Sequence, residues 1–173
     1  MKDLGLIHYF LGLEVWQRKE IFLGRGKYTI DILKRFGMLD CKSITTPMDA
    51  NLKKLRDSTS NSNFIDPTMY HQLIGSLMYM TNTRTNICFV VNALSQFMCE
   101  PRQIHWIATK HVLRYLRGTM GYDLRYDSDC DFRLQGFTDL DWFGCTTDRK
   151  SISGCCFSLN STVIPNTIGS RTQ

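Results

Sequence analysis

The sequence has no apolar run near the roughly 18 residues that a membrane-spanning helix needs. Met1-Lys2-Asp3-Leu4-Gly5 opens no signal-peptide core and no Arg/Ser-rich amphipathic leader. A cytoplasmic or nuclear location is therefore expected, and an organelle-encoded product would need no such signal either. Cysteine is not organised: Cys41, Cys88, Cys99, Cys130, Cys145, Cys155 and Cys156 are odd in number, form no C-x-x-C pair and end on two adjacent residues. That pattern argues against a disulfide framework and against a zinc site, leaving scattered reduced thiols. His105 and His111 stand six apart and so cannot share one helix face. No repeat of 20–50 residues is visible. What remains, 43% hydrophobic and 21% charged residues, is the composition of a folded globular chain.

Charge is modest in total but unevenly spread. Residues 1–65 carry eleven Lys/Arg against seven Asp/Glu, residues 66–121 five against two, and residues 122–173 five against seven. The basic first two thirds suit a polyanionic partner, because each phosphate contact releases counterions.

Periodicity divides the chain further. Ile7 to Val15 and Ile21-Phe22-Leu23, around the polar Gln17-Arg18-Lys19-Glu20, predict a β-hairpin. Gly12 lies inside its first strand, where glycine marks a bulge or a close backbone approach. Tyr28, Ile32, Leu33 and Phe36 recur at helical spacing and Gly37 follows as a stop. Residues 40–65, with Thr46-Pro47 and a Ser/Asn run, read as an exposed linker. Three helices follow over 66–117. The first has an Asp66 N-cap with Pro67 behind it, the second carries Ile87 to Met98, and the third runs from Pro101 to a close at Gly118. The third presents Arg102, Lys110, Arg114 and Arg117 on its polar face, the best phosphate-facing surface in the chain. Tyr122 to Tyr126, Phe132 to Thr138, Ser153 to Leu159 and Thr162 to Ile164 predict antiparallel strands. Pro165 confines the last of these to an edge or a loop.

Taken in order, several short motifs resemble copia-type retrotransposon Pol polyproteins. They include Tyr9-Phe10-Leu11-Gly12-Leu13-Glu14-Val15, Thr46-Pro47-Met48, Tyr70-His71-Gln72-Leu73-Ile74-Gly75-Ser76-Leu77 and Ser95-Gln96-Phe97-Met98. Pro101-Arg102, His105-Trp106, Leu113-Arg114-Tyr115-Leu116, Thr138-Asp139, Asp141-Trp142 and Asp148-Arg149-Lys150-Ser151 complete the run. The resemblance covers essentially the whole chain and implies an α+β architecture: a β-hairpin, a helical thumb-like bundle, then an incomplete RNase H-like antiparallel β segment. It implies four parts. Residues 1–39 would hold a primer-grip-like hairpin with the first thumb helix, 40–65 a flexible linker, 66–121 the helical thumb, and 122–173 a partial RNase H-like segment.

The resemblance also assigns roles. Phe10, Leu11 and Gly12 would lie against the primer backbone, where a residue without a Cβ lets the main chain come close. With Arg102, Lys110, Arg114 and Arg117 they are the expected contacts to an RNA–DNA or DNA duplex, made to phosphates and sugars without reading sequence. Asp139 corresponds to the first RNase H carboxylate, a ligand of Mg²⁺ in the parent enzyme. That chemistry takes several carboxylates around two metal ions. The family's palm aspartates are expected before Met1 and its next RNase H glutamate beyond Gln173. The chain is thus expected to lack both complete sites, to hold no Mg²⁺ stably and to be inactive alone, its partners including the absent palm, fingers and remaining RNase H segments. A domesticated nucleic-acid-binding or protein-interaction role is the alternative. Thr83-Arg84-Thr85-Asn86-Ile87 departs from the family's Thr-Arg-Pro-Asp-Ile and forfeits a helix-starting proline.

Overall fold

In the computed structural model the described residues are 7–17, 19–48, 55, 63–127, 133–141, 152–159, 162–164 and 170–171. They fall into two units, residues 24–122 and residues 1–23 with 123–173. The expected α+β arrangement is observed.

The first unit is helical. Helix α1, Gly26–Arg35, buries Thr29, Ile32 and Leu33, and places Lys34 and Arg35 in its last turn, where cations suit the helix dipole. Gly37 stops it as expected. With φ of +63° it lets its own N–H reach Lys34 O at 3.1 Å, while Met38 N–H reaches Leu33 O at 2.7 Å. This pair of bonds closes the helix end in a Schellman motif. Helix α2, Pro67–Thr81, starts on Asp66, whose Oδ1 accepts from Thr68 N–H at 2.9 Å. Helix α3, Cys88–Ser95, is entered through a short 3₁₀ turn at Thr85–Ile87, which replaces the missing proline start. Phe97 and Met98, expected inside this helix, lie past its end. Helix α4, Gln103–Gly118, is the longest among the described residues.

The four helices share one core. Ile32 and Leu33 of α1, Leu73, Ile74 and Leu77 of α2, Leu94 of α3 and Leu113 and Leu116 of α4 are all 0–1% exposed. Burial at this level is worth about 1.5–3 kcal/mol for each large aliphatic side chain. Tyr70 is also fully buried, and its hydroxyl donates to Leu94 O at 2.8 Å, tying α2 to α3. Desolvation pushes that phenol up to about 12, so it stays a neutral donor. No helix among the described residues is long and apolar enough to cross a membrane.

The described part of residues 40–65 does not hang free as expected. Its side chains are largely exposed, but Ile44 and Met48 pack against the core and Leu55 is buried in it.

The second unit holds two antiparallel sheets. The first, in order β1-β2-β3-β4, joins β1 Tyr9–Phe10, β2 Leu13–Gln17, β3 Glu20–Gly24 and β4 Leu124–Asp127. The strand expected from Ile7 to Val15 is therefore two strands. β3 and β4 are distant in sequence yet pair from Leu23↔Leu124 to Glu20↔Asp127. Arg125 reaches Glu20 along the same edge, an exposed ion pair worth under about 1 kcal/mol. The second sheet pairs β5 Leu134–Asp141 with β6 Ile152–Leu159 in an eight-residue register. β7 Thr162–Ile164 and β8 Ser170–Arg171 pair with opposite ends of β6.

Candidate nucleic-acid interface

Phe10, Leu11 and Gly12 are brought together at the tip of β1 and β2. Phe10 pairs with Leu13, so Leu11 and Gly12 form a two-residue turn, with φ of 48° and 77°. Two positive φ values are the mark of a type I′ turn, whose twist matches the strands it joins. Gly12 thus meets a turn requirement, and the bulge or in-strand glycine expected from sequence is not what is observed. Leu11 occupies the left-handed region at a cost of about 1–2 kcal/mol. It is 73% exposed, and Phe10 beside it is 56% exposed. Replacing Leu11 by asparagine, which tolerates this conformation, should strengthen the hairpin by about 1 kcal/mol. Slower hydrogen exchange at Val15 N–H, which bonds His8 O across the hairpin, would report it. Unchanged or faster exchange would show that Leu11 carries no strain.

Arg102, the N-cap of α4, and Lys110, Arg114 and Arg117 within it are half-buried, each held by a neighbour. The Arg102 guanidinium lies 4.9 Å from the Phe64 ring centroid, and Lys110 Nζ lies 5.2 Å from that of Trp106. Both are cation–π distances. Arg114 Nε donates to Lys42 O at 2.9 Å and Arg117 Nε to Leu39 O at 2.8 Å. Lys110, Arg114 and Arg117 fall within about 60° of arc at 3.6 residues per turn, whereas Arg102 stands apart near the helix start. The hairpin tip belongs to the other unit. The basic face read from sequence is a set of partly anchored cations.

Three buried basic residues were given no individual role from the sequence. Arg25, 7% exposed, donates from Nη1 to Tyr79 O at 2.6 Å and stacks 3.8 Å above the Tyr79 ring. Arg84, 6% exposed, donates to Thr119 O, to Thr119 Oγ1 at 2.6 Å and to Tyr122 O at 2.8 Å. His105 is 1% exposed and stacks on Phe97, with ring centroids 3.9 Å apart. Its Nδ1 accepts from Arg102 N–H at 3.1 Å, and its Nε2 faces Leu55 O at 3.1 Å. A carbonyl only accepts and an amide N–H only donates, so His105 is the neutral Nε2–H tautomer. Burial lowers its pKa, Arg102 adding to the effect and the Leu55 bond opposing it. Arg102 three residues before His105 has the spacing of a capping box, with imidazole in place of Glu or Gln, and is the one signal that could have found it.

Asp139, the expected RNase H carboxylate, lies within β5 opposite Gly154 of β6. Among the described residues no three His, Cys, Asp or Glu come together as a metal-holding group.

Charge separates along the two units. Residues 24–122 hold thirteen Lys/Arg against six Asp/Glu, a net +7, and residues 1–23 with 123–173 hold eight against ten, a net −2.

An uncharacterized mitochondrial protein of Arabidopsis thaliana is 39% identical over 165 residues, an overlap of 95% of this chain and 68% of that protein. The retrovirus-related Pol polyprotein from transposon RE2 of Arabidopsis thaliana is 38% identical over 155 residues, 89% of this chain and 10% of the polyprotein. The counterpart from transposon TNT 1-94 of Nicotiana tabacum is 36% identical over 172 residues, 95% of this chain and 13% of the polyprotein. The chain thus spans about a tenth of these polyproteins. No family model matches it, and no solved structure does.

Proposed function

The chain belongs to the retrovirus-related Pol polyproteins of copia-type retrotransposons, and from that membership we propose that residues 24–122 are a thumb-like body gripping the sugar–phosphate backbone of a template–primer duplex. The observation that carries this reading is the net +7 on the helical unit of a chain whose remainder is net negative. Neutralising phosphates releases condensed counterions, so affinity for a polyanion follows from that charge whatever the base sequence. Phe10, Leu11 and Gly12 are the hairpin's share of the contact. In the parent polyprotein Mg²⁺ would serve polymerisation and RNase H cleavage, Asp139 contributing one carboxylate. The isolated chain binds without turning over.

Two labelled RNA–DNA hybrids of equal length and unrelated sequence test the reading, titrated with the full chain at about 50 mM salt. Phosphate-directed binding gives affinities within about threefold of each other. Neither primer extension with added nucleotides and Mg²⁺ nor hybrid cleavage should follow. A preference beyond about tenfold, or no binding at this salt, would overturn the reading.

A further inference from the structure

Residues 39–46 run antiparallel to α4, and three α4 side chains hold their main chain. His111 Nε2–H donates to Thr46 O at 3.1 Å, Arg114 Nε to Lys42 O and Arg117 Nε to Leu39 O. The carbonyls descend the chain as the donors ascend the helix. Gly118 admits this path: a Cβ there would lie 3.0 Å from Ser43 Cβ and 3.4 Å from Ile44 O. Nothing in this ladder uses a side chain of the strap itself, which explains why its polar sequence looked like linker.

The consequence lies at the guanidinium ends. A guanidinium carries five N–H donors in a rigid plane, and one Nε–H spent on a carbonyl leaves four on the two Nη nitrogens. Anchoring Nε fixes the direction in which those four point. Residues three apart on a helix stand about 5–6 Å apart at Cβ, so both planes are near enough to serve one backbone segment. An unanchored arginine must lose its rotamer freedom on binding, whereas these two have lost it on folding.

We propose that residues 39–46 are a strap that pre-orients Arg114 and Arg117 as a paired clamp for phosphodiesters, with His111 and Gly118 as positioning residues that touch no ligand. The proposal deepens the duplex-backbone reading above and rests on it. It makes strap docking a condition for full affinity, without altering the charge of the chain.

The test compares the full-length protein with His111→Ala, Gly118→Val, Arg114→Lys and the double variant Arg114→Ala/Arg117→Ala, by anisotropy on a labelled RNA–DNA hybrid at pH 7.5. Arginine Nε–H resonances in NMR spectra of each free protein report the strap directly, and circular dichroism reports folding. His111→Ala and Gly118→Val should lose the protected Arg114 and Arg117 Nε–H signals and about tenfold in affinity at unchanged helicity. Arg114→Lys, which keeps the charge but has no fork, should lose about as much. If Gly118→Val fails to fold, His111→Ala, a change at a half-buried position, decides alone. Wild-type affinity in His111→Ala together with lost Nε–H protection overturns the strap's role while leaving backbone binding intact. Wild-type affinity in the double alanine variant overturns the clamp. Absence of binding by the wild-type chain overturns the thumb reading itself.

Discussion

Replacing Arg84 by alanine should lower the melting temperature of the helical unit by about 12–24 °C, the largest single effect anticipated outside the aliphatic core. Arg84 is buried at the C-terminus of α4, where the last carbonyls of a helix have no partner within it. Its guanidinium takes up Thr119 O, Thr119 Oγ1 and Tyr122 O at once, and Thr119 Oγ1 in turn donates to Tyr115 O at 3.0 Å. The negative end of the helix dipole favours the cation there. Alanine removes the donors to Thr119 O, Thr119 Oγ1 and Tyr122 O together and leaves Thr119 O with the Tyr122 N–H at 3.1 Å, at a cost of about 3 kcal/mol. At about 4–8 °C per kcal/mol for a domain near 100 residues, that gives the stated shift. Arg84→Lys keeps the charge but loses the fork, and should recover part of the loss. Thermal melting followed by circular dichroism is sufficient, and a change within about 3 °C for alanine would show that the α4 end is closed by other means.

His105 sets the second large effect and gives stability a pH dependence. Substitution by alanine deletes a buried ring that accepts from Arg102 N–H, donates to Leu55 O and stacks on Phe97. The expected cost near pH 7.5 is about 2–3 kcal/mol, from a cavity and two unsatisfied backbone groups. Burial lowers the folded pKa below the ordinary 6.5, so on passing below 6.5 the unfolded chain takes up the proton first. Stability from this group is therefore complete above pH 6.5 and is lost as pH falls through the lowered folded value. Protonation would set an Nδ1–H against the Arg102 N–H and a positive charge at the α4 N-terminus, both unfavourable. Denaturant titrations at pH 7.5, 6 and 5 should show the gap between wild type and His105→Ala narrowing with acidity. A gap that stays constant or widens would mean that the ring is already charged or that its proton is not linked to folding.

These two residues show where sequence reasoning reached and where it stopped. Local rules were legible: Asp66-Pro67 starts α2, Gly37 ends α1 in the left-handed region, and the apolar stripes of α1, α2 and α4 are the core. Each rests on neighbours within a few residues. Arg84 was not legible, because Thr119 and Tyr122 lie 35 and 38 residues away and no composition rule marks a buried cation satisfied by main-chain carbonyls. His105 was marked only by its spacing to Arg102, its Leu55 partner lying 50 residues away. The pairing of β3 with β4 is similarly non-local. The hairpin was half legible. Gly12 signalled an unusual backbone, but the residue that revealed a two-residue turn is Leu11, a poor candidate for positive φ by propensity. Arg114 and Arg117 were chosen for charge, and their main-chain anchors came from a segment read only as linker.

The dependence of duplex affinity on salt tests the central claim most directly. Arg102, Lys110, Arg114 and Arg117 would make roughly four phosphate contacts, so log affinity against log salt should fall with a slope of about −3 to −4. Raising salt from about 50 to 200 mM should then weaken binding of an RNA–DNA hybrid by about 100-fold. A slope near zero, with affinity retained at high salt, would contradict a thumb that grips the backbone by charge.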